Sequence, residues 1–501
     1  MDNIRILQLG NRDWSQEYTI PEGVDFFYNV IEDDDKKLYD LLFLDRNIEK
    51  EELDLLRKLT KAYTVFVMAS LEQNVWTKEL CKSKKAEKLS ETEIPEFLKK
   101  EVRNYFPGPY GEKYKLCDLT VAQNFQGKVM WEGNYSVVLD GMYGREFQQV
   151  VFWRNNIPVF QGQAIDFWLE YQCDPDVEIT LEIVQFYSGS VDEVMNRWEF
   201  TEEQLSDIVT IDNPIADGTI FVSIRAKGYG YLRIIALHDR YSRRGRGYFL
   251  PGGKRSIVTN REEIFYYFDP GNLKPPLNVY FSGYKTMEGF EGYYMMKKRE
   301  HPYLLIAEPR LEGGCFYMGN EEYEGRIVEI IREHMKELGF SSQEVILSGL
   351  SMGTFGALYY GCEIHPHAII VGKPLTSIGN VAANEKRHRP GGFPTSLDVL
   401  MYQANGTEEE NVNWLNHKFW DKFDETDWRE SKFIVAYMIE DDYDTTAYQT
   451  LLSHIHSDGI EIYGKGIHGR HNDNTEAIVS WFTSQLDKVL REDFKEGQNA
   501  E

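Results

Sequence analysis

The pentapeptide Gly349-Leu350-Ser351-Met352-Gly353 fits G-x-S-x-G, and it restricts the fold more than any other segment of the chain. Before it, Val345-Ile346-Leu347-Ser348 is a short apolar, β-branched run suited to a buried parallel strand. After it, Gly353-Thr354-Phe355-Gly356-Ala357-Leu358-Tyr359-Tyr360 opens a helix on small residues. A serine on such a strand-to-helix turn sits in a strained backbone position with its hydroxyl exposed. Glycines two positions to either side keep side chains from colliding there. The helix N-terminus aims backbone N–H groups at an oxyanion, which makes Met352 an expected donor. A bare match arises by chance roughly 0.2 times in a chain of this size, so the strand before and the helix after carry the assignment of a nucleophile elbow.

An elbow of this kind takes its partners in the chain order serine, acid, histidine. Lys432-Phe433-Ile434-Val435-Ala436-Tyr437-Met438-Ile439 reads as another buried strand and ends in Glu440-Asp441-Asp442-Tyr443-Asp444, with a helical stretch from near Thr445. An acid just past a strand's end is placed to orient a histidine. Asp441 is the first choice, with Asp442 and Glu440 as alternates. The strand Ile460-Glu461-Ile462-Tyr463 is followed by the loop Gly466-Ile467-His468-Gly469-Arg470-His471-Asn472 and then by a helix from Thr475 to Val489. His471, which abuts that helix, is favoured as general base over His468, which sits among glycines. The second oxyanion donor is expected after an early strand. Leu277-Asn278-Val279-Tyr280-Phe281 runs into Ser282-Gly283-Tyr284-Lys285, so Gly283 or Tyr284 would supply a backbone N–H beside that of Met352.

Composition removes several function classes. Lys and Arg total 55 against 81 Asp and Glu, a formal charge of −26 that repels nucleic acid and anionic membranes. The five cysteines are scattered without C-x-x-C spacing, so no zinc site, other metal site or disulfide framework is expected, and a reducing compartment is. No secretory signal or transmembrane-length apolar run is visible, which reads as a soluble, cytoplasmic protein.

Three regions differ in pattern. Residues 1–126 alternate apolar runs (Ile4–Gly10, Leu41–Leu44, Thr64–Met68) with helical spacing from Glu49 to Ala62, as in a small Rossmann-like layer, but lack G-x-G-x-x-G and so any assigned nucleotide. Residues 127–251 show period-two strands without helices, expected to form a β-sandwich of carbohydrate-binding-module type. Trp131, Tyr135, Trp153 and Trp168 could stack on sugar there, or could be core. Arg240-Tyr241-Ser242-Arg243-Arg244-Gly245-Arg246-Gly247-Tyr248 is a basic island, read first as an interdomain salt-bridge hinge and second as an anion site. Residues 252–493 predict a doubly wound α/β-hydrolase domain with its site at the strands' C-terminal edge. Leu375 to Asn416, rich in Gly, Pro and Asn, has the character of an irregular lid. Residues 494–501 are expected to be a disordered tail.

This order of regions, with GLSMGTFGALYYG, YSRRGRGYFLPGG and the acid-then-histidine tail, resembles the accessory secretory protein two family of the accessory Sec system over the full length. The resemblance implies an enzyme that O-acetylates N-acetylglucosamine on serine-rich-repeat glycoprotein adhesins, with Ser351, Asp441 and His471 as triad. It also implies a role in exporting those adhesins, with accessory secretory proteins one and three and the dedicated motor ATPase as partners, in the cytoplasm and peripherally associated with the membrane translocase. No bound cofactor is implied; an acetyl donor is required, and acetyl-coenzyme A is a candidate. A carbohydrate esterase using the same triad and a non-catalytic export adaptor are the competing expectations.

Overall fold

The fold comes from a computed structural model that describes residues 3–32, 37–108, 110–213, 215–456 and 459–494. The tail expected beyond residue 494 lies outside the described residues.

Three sheets form in succession. The first is parallel, in the order Val24–Tyr28, Ile4–Leu9, Leu41–Leu44, Val65–Met68, Glu87–Leu89. Leu41–Leu44 and Val65–Met68 are apolar along their whole length because both faces are covered. The helix Lys50–Leu59 buries Leu53, Leu56 and Leu59 on one stripe and starts with a Glu49/Glu52 capping box.

The second sheet is antiparallel and eleven-stranded among the described residues. It is built on two long strands, Ser136–Trp153 and Gly218–Tyr241, which pair with each other and exchange other neighbours along their length. Gly218–Tyr241 pairs with Val177–Tyr187 early in its course and with Ala164–Cys173 later. Register shifts occur around Ala226, Gly228 and Tyr229, where glycines permit the bend. The evenly spaced short runs in the sequence are thus pieces of long, bent strands. The sheet also starts before residue 127, since Gly111–Tyr114 and Leu119–Val121 belong to it, and it recruits Met287–Glu288 from much later in the chain. A boundary at 126/127 is corrected accordingly. Trp153 and Trp168 are fully buried and Tyr135 nearly so, while Trp131 is half exposed, so three of the four proposed platform aromatics are core.

The third sheet runs Lys254–Ile257, Glu263–Asp269, Tyr303–Ala307, Leu277–Phe281, Val345–Leu350, Ala368–Gly372, Lys432–Met438, Ile462–Ile467. The first two strands pair antiparallel, and the pairs from Tyr303–Ala307 onward are parallel. Val345–Leu350 is central, with helices packed on both faces, and the arrangement is α/β-hydrolase-like. The segment after Ala368–Gly372 is not irregular. It folds into helices Ile378–Arg387, Thr395–Ala404 and Glu409–Asp424. No helix of the described residues is long and apolar enough to cross a membrane.

A buried ionic lattice joins the second and third sheets. His238 faces Glu288 through Nδ1 and Glu170 through Nε2, the latter at 2.9 Å. Arg240 holds Glu263 in a two-pronged contact at 2.8 and 2.6 Å and also reaches Glu288. Arg255 closes the set on Glu263 and lies over the Trp168 ring. Both ring nitrogens face carboxylates, so the imidazolium is the form that satisfies them. Burial alone would lower the His238 pKa, but Glu288 and Glu170 outweigh it and raise it. A raised folded-state pKa adds stability below the unfolded value of about 6.5, and that stability is lost as pH rises through the folded value. Thermal unfolding midpoints should therefore fall as pH is taken from about 6.5 upward, and His238→Gln should flatten that part of the profile. A wild-type midpoint that does not fall across that range would contradict this role.

Candidate active site

Ser351 ends the central strand at φ 51°, ψ −120°, and the helix Met352–Ile364 starts immediately after it. Positive φ at a non-glycine residue is strained and persists only when its surroundings fix it. Here Ser351 N–H donates to Gly372 O at 2.9 Å, and Thr354 Oγ1 donates to Ser351 O at 2.6 Å. The flanking glycines are sterically required. A Cβ on Gly349 would lie 2.3 Å from Gly353 O, and one on Gly353 would lie 2.1 Å from Phe281 O.

Two hydrogen bonds extend from the serine. Ser351 Oγ is 2.9 Å from His471 Nε2, and His471 Nδ1 is 2.9 Å from Asp441 Oδ2. His471 and Asp441 are both buried. Asp441 leaves the end of strand Lys432–Met438, and His471 stands in the loop between the last strand and helix Thr475–Asp493. The geometry separates the acids that the sequence leaves ambiguous. Asp441 alone takes the imidazole, while its other oxygen accepts the Tyr443 N–H at 2.8 Å. Asp442 accepts the backbone N–H of His471 at 3.1 Å. Glu440 contacts His468 Nδ1 at 3.0 Å and accepts Gly469 N–H at 2.6 Å, and His468 is 84% exposed and outside the constellation. Asp444 accepts the N–H groups of Thr376 and Ser377, each at 2.9 Å, and so ties the acid loop to the start of the helical lid. Burial raises the Asp444 pKa, with those hydrogen bonds opposing it.

The backbone N–H groups expected to serve an oxyanion differ in their partners. The Met352 and Tyr284 N–H groups have no acceptor among the described residues. Gly283 N–H is instead donated to the Glu291 carboxylate at 2.6 Å, so Gly283 is corrected from oxyanion donor to part of the loop's anchor. Glu291 N–H donates in turn to Ser282 Oγ at 3.2 Å, which locks the turn from both sides. A Cβ on Gly283 would lie 3.1 Å from Leu350 O, a tight approach between this loop and the elbow strand.

Sequence reasoning missed one wall of the site. Tyr443 stacks flat on the His471 ring, with centroids 4.4 Å apart and planes at 6°. Phe393 of the lid also stacks parallel to Tyr443, with centroids 5.3 Å apart, and Tyr284 meets Phe393 edge-on at 5.7 Å. Arg389 lies over Tyr443, whose hydroxyl donates to Gly392 O at 3.2 Å. The stack restrains the imidazole plane and shields one face of the site from water. The only signal in the sequence was an aromatic residue inside the acidic run.

The basic island is spent on internal contacts. Arg240 joins the lattice already described, Arg243 donates to the carbonyls of Asn104, Phe106 and Phe249, Arg244 pairs with Asp212, and Arg246 pairs with Glu87 and Glu101. That pattern fits the hinge reading over the anion reading. Glu170, His238 and Glu263 bring potential ligand atoms within 4.8 Å of one another. Their charges are already matched, since His238 faces carboxylates at both nitrogens and Arg240 and Arg255 hold Glu263. The cluster is an ion-pair lattice.

Comparison with known proteins gives concordant matches. The family model named Asp2 (a protein name, not a residue), described as accessory Sec system GspB-transporter, matches residues 4–496. The accessory Sec system protein Asp2 of Streptococcus gordonii is 36% identical over 511 residues, covering 98% of this chain and 99% of its own. That of Staphylococcus aureus (strain NCTC 8325 / PS 47) is 36% identical over 519 residues, covering 99% and 98%. Among solved structures, the glycosylation-associated protein (Gap123) complex from Streptococcus agalactiae contains a chain 35% identical to this one. The two superpose with a TM-score of 0.86 over 98% of this chain and 99% of that one.

Proposed function

The chain belongs to the Asp2 family of the accessory Sec system, and from that premise we propose that it is a serine-dependent O-acetyltransferase acting on N-acetylglucosamine of serine-rich-repeat glycoproteins. The observation that carries the reading is the unbroken run of hydrogen bonds from Ser351 through His471 to Asp441, set against the unpaired N–H groups of Met352 and Tyr284.

In this mechanism His471 Nε2 takes the Ser351 proton as Oγ attacks the acetyl carbonyl carbon, and Asp441 holds Nδ1–H and so fixes the tautomer. The two N–H groups stabilise the tetrahedral oxyanion. The bond from the acetyl carbon to the leaving group breaks, and His471 returns its proton to that group. A sugar hydroxyl then attacks the acetyl-enzyme, loses its proton to His471 and releases Ser351, which recovers a proton from His471. Acceptor beats water only when it is held in place and the site is dry. The Phe393–Tyr443 wall supports the second requirement.

The partner set is proposed to be accessory secretory proteins one and three and the motor ATPase, with the glycoprotein as cargo. The likeness to a chain of the Gap123 complex supports partnership within that system. Location at the cytoplasmic side of the translocase belongs to the same proposal. Incubating the protein with an acetyl donor and either an N-acetylglucosamine-bearing glycopeptide or buffer alone tests the transfer step. The expected result is O-acetylated sugar with little free acetate while acceptor is present. Free acetate as the sole product under both conditions would favour an esterase.

A further inference from the structure

Lys373 links the elbow, the acid loop and the histidine loop, and we propose that it is a positioning residue whose charge holds the Asp441–His471 pair ready for proton transfer. The proposal rests on the acyl-transfer reading above. Lys373 follows Gly372, whose carbonyl accepts the Ser351 N–H, and its own N–H donates to Ala436 O at 2.9 Å. Its backbone is held at φ 60°, a strained value for a residue with a side chain. The residue is buried, and its Nζ donates to Thr475 Oγ1 at 2.9 Å, at the first residue of helix Thr475–Asp493. One side chain thus ties the strand beside the elbow to the helix that follows His471.

The segment that Lys373 opens is also fixed to the acid loop. Thr376 and Ser377 donate their N–H groups to Asp444, and the Asp444 N–H reaches Asp441 Oδ1 at 3.3 Å. Asp441 and Asp444 are both buried, so two carboxylates on one loop share a poorly solvated place. Among the described residues, neither makes a direct ion pair with a lysine or arginine; Asp441 faces His471 alone. Burial lowers the Lys373 pKa, and the charges of Asp441 and Asp473 oppose it. Asp473 already pairs with exposed Arg470 at 3.2 Å. Asp441 is therefore the carboxylate left for the Lys373 ammonium to offset.

Structure alone does not call for a lysine here. Positive φ favours glycine or asparagine, and a cation opposes the dipole at a helix N-terminus. What the ammonium supplies is positive charge next to two buried carboxylates and a base. It favours the ionised Asp441 that accepts Nδ1–H, and it disfavours an extra proton on the cluster, so Nε2 is free to take the one from Ser351. The other charged groups around His471 have partners of their own. Arg389 lies over Tyr443 and pairs with Glu385 at 3.9 Å, Glu440 contacts His468, Asp442 accepts the His471 N–H, and Glu291 accepts the Gly283 N–H.

Two readouts on the full chain test this. In the pH profile of kcat/KM with p-nitrophenyl acetate, Lys373→Met should move the midpoint of the acid limb up by about half a pH unit or more, because a cation near the cluster is lost. Lys373→Arg should bring the midpoint back, and Thr475→Val, which removes the hydrogen bond and keeps the charge, should leave it in place. Nuclear magnetic resonance titration of the histidine rings reads the same shift without activity, with His471 identified by its absence in His471→Gln. Lys373→Gln removes the charge with a shorter polar side chain and serves if the methionine variant does not fold. An unmoved midpoint in both neutral variants, or an equal rise in Lys373→Arg or Thr475→Val, would overturn the proposal. If p-nitrophenyl acetate failed to acylate Ser351 at any pH, the proposed function would fall instead, and the ring titration would still decide the role of Lys373.

Discussion

Ser351→Ala is expected to lower acetyl transfer by about 10⁴-fold or more while leaving the protein folded. The hydroxyl is the only group lost, and the substitution removes the nucleophile without touching the backbone strain at φ 51°. That strain is fixed by the Gly372 and Thr354 contacts, which alanine leaves in place: Thr354 Oγ1 meets the backbone carbonyl of residue 351, not its side chain. Acetyl release from p-nitrophenyl acetate is the readout, with circular dichroism and the thermal midpoint as the check on folding. A variant retaining a tenth or more of wild-type turnover would mean that Ser351 is not the nucleophile.

Asp441→Asn should cost nearly as much, about 10⁴-fold in kcat, because asparagine presents an N–H where His471 Nδ1 needs an acceptor. Its neighbours provide the contrast. Asp442→Asn keeps an oxygen to accept the His471 N–H, and Glu440→Gln alters only an exposed contact with His468 and Gly469. Each should change kcat by less than about tenfold, the scale of one neutral hydrogen bond. If Asp442→Asn proved as damaging as Asp441→Asn, the orienting role would not belong to Asp441 alone.

Much of this site was legible beforehand because the elbow is a local device. Its glycines, the strand before it and the helix after it are contiguous in sequence, and chain order then points to an acid and a histidine. Which acid serves was not legible. Four carboxylates within five positions have the same chemistry, and only the backbone path sends one to the imidazole, one to the His471 N–H, one to His468 and one to the lid. That the Gly283 N–H is already taken was equally hidden, since it depends on Glu291 folding back across the turn.

The lid was misread for a physical reason. Its Gly, Pro and Asn residues look like loop composition, yet several act as helix furniture. Gly379 lets helix Ile378–Arg387 approach helix Glu409–Asp424 so closely that a Cβ would lie 2.2 Å from Val412 O. Pro394 starts the next helix, and Asn405, at φ 55°, ends it. In the second sheet, glycines bend continuous strands, and of the four aromatics that could have been platform or core, Tyr135, Trp153 and Trp168 are core while Trp131 is half exposed.

The most direct test of the central claim is the intact mass of a glycosylated serine-rich-repeat acceptor co-expressed with this protein or with its Ser351→Ala variant. The account predicts acetyl additions on the acceptor with wild type and none with the variant. Equal acceptor masses in the two samples would contradict it.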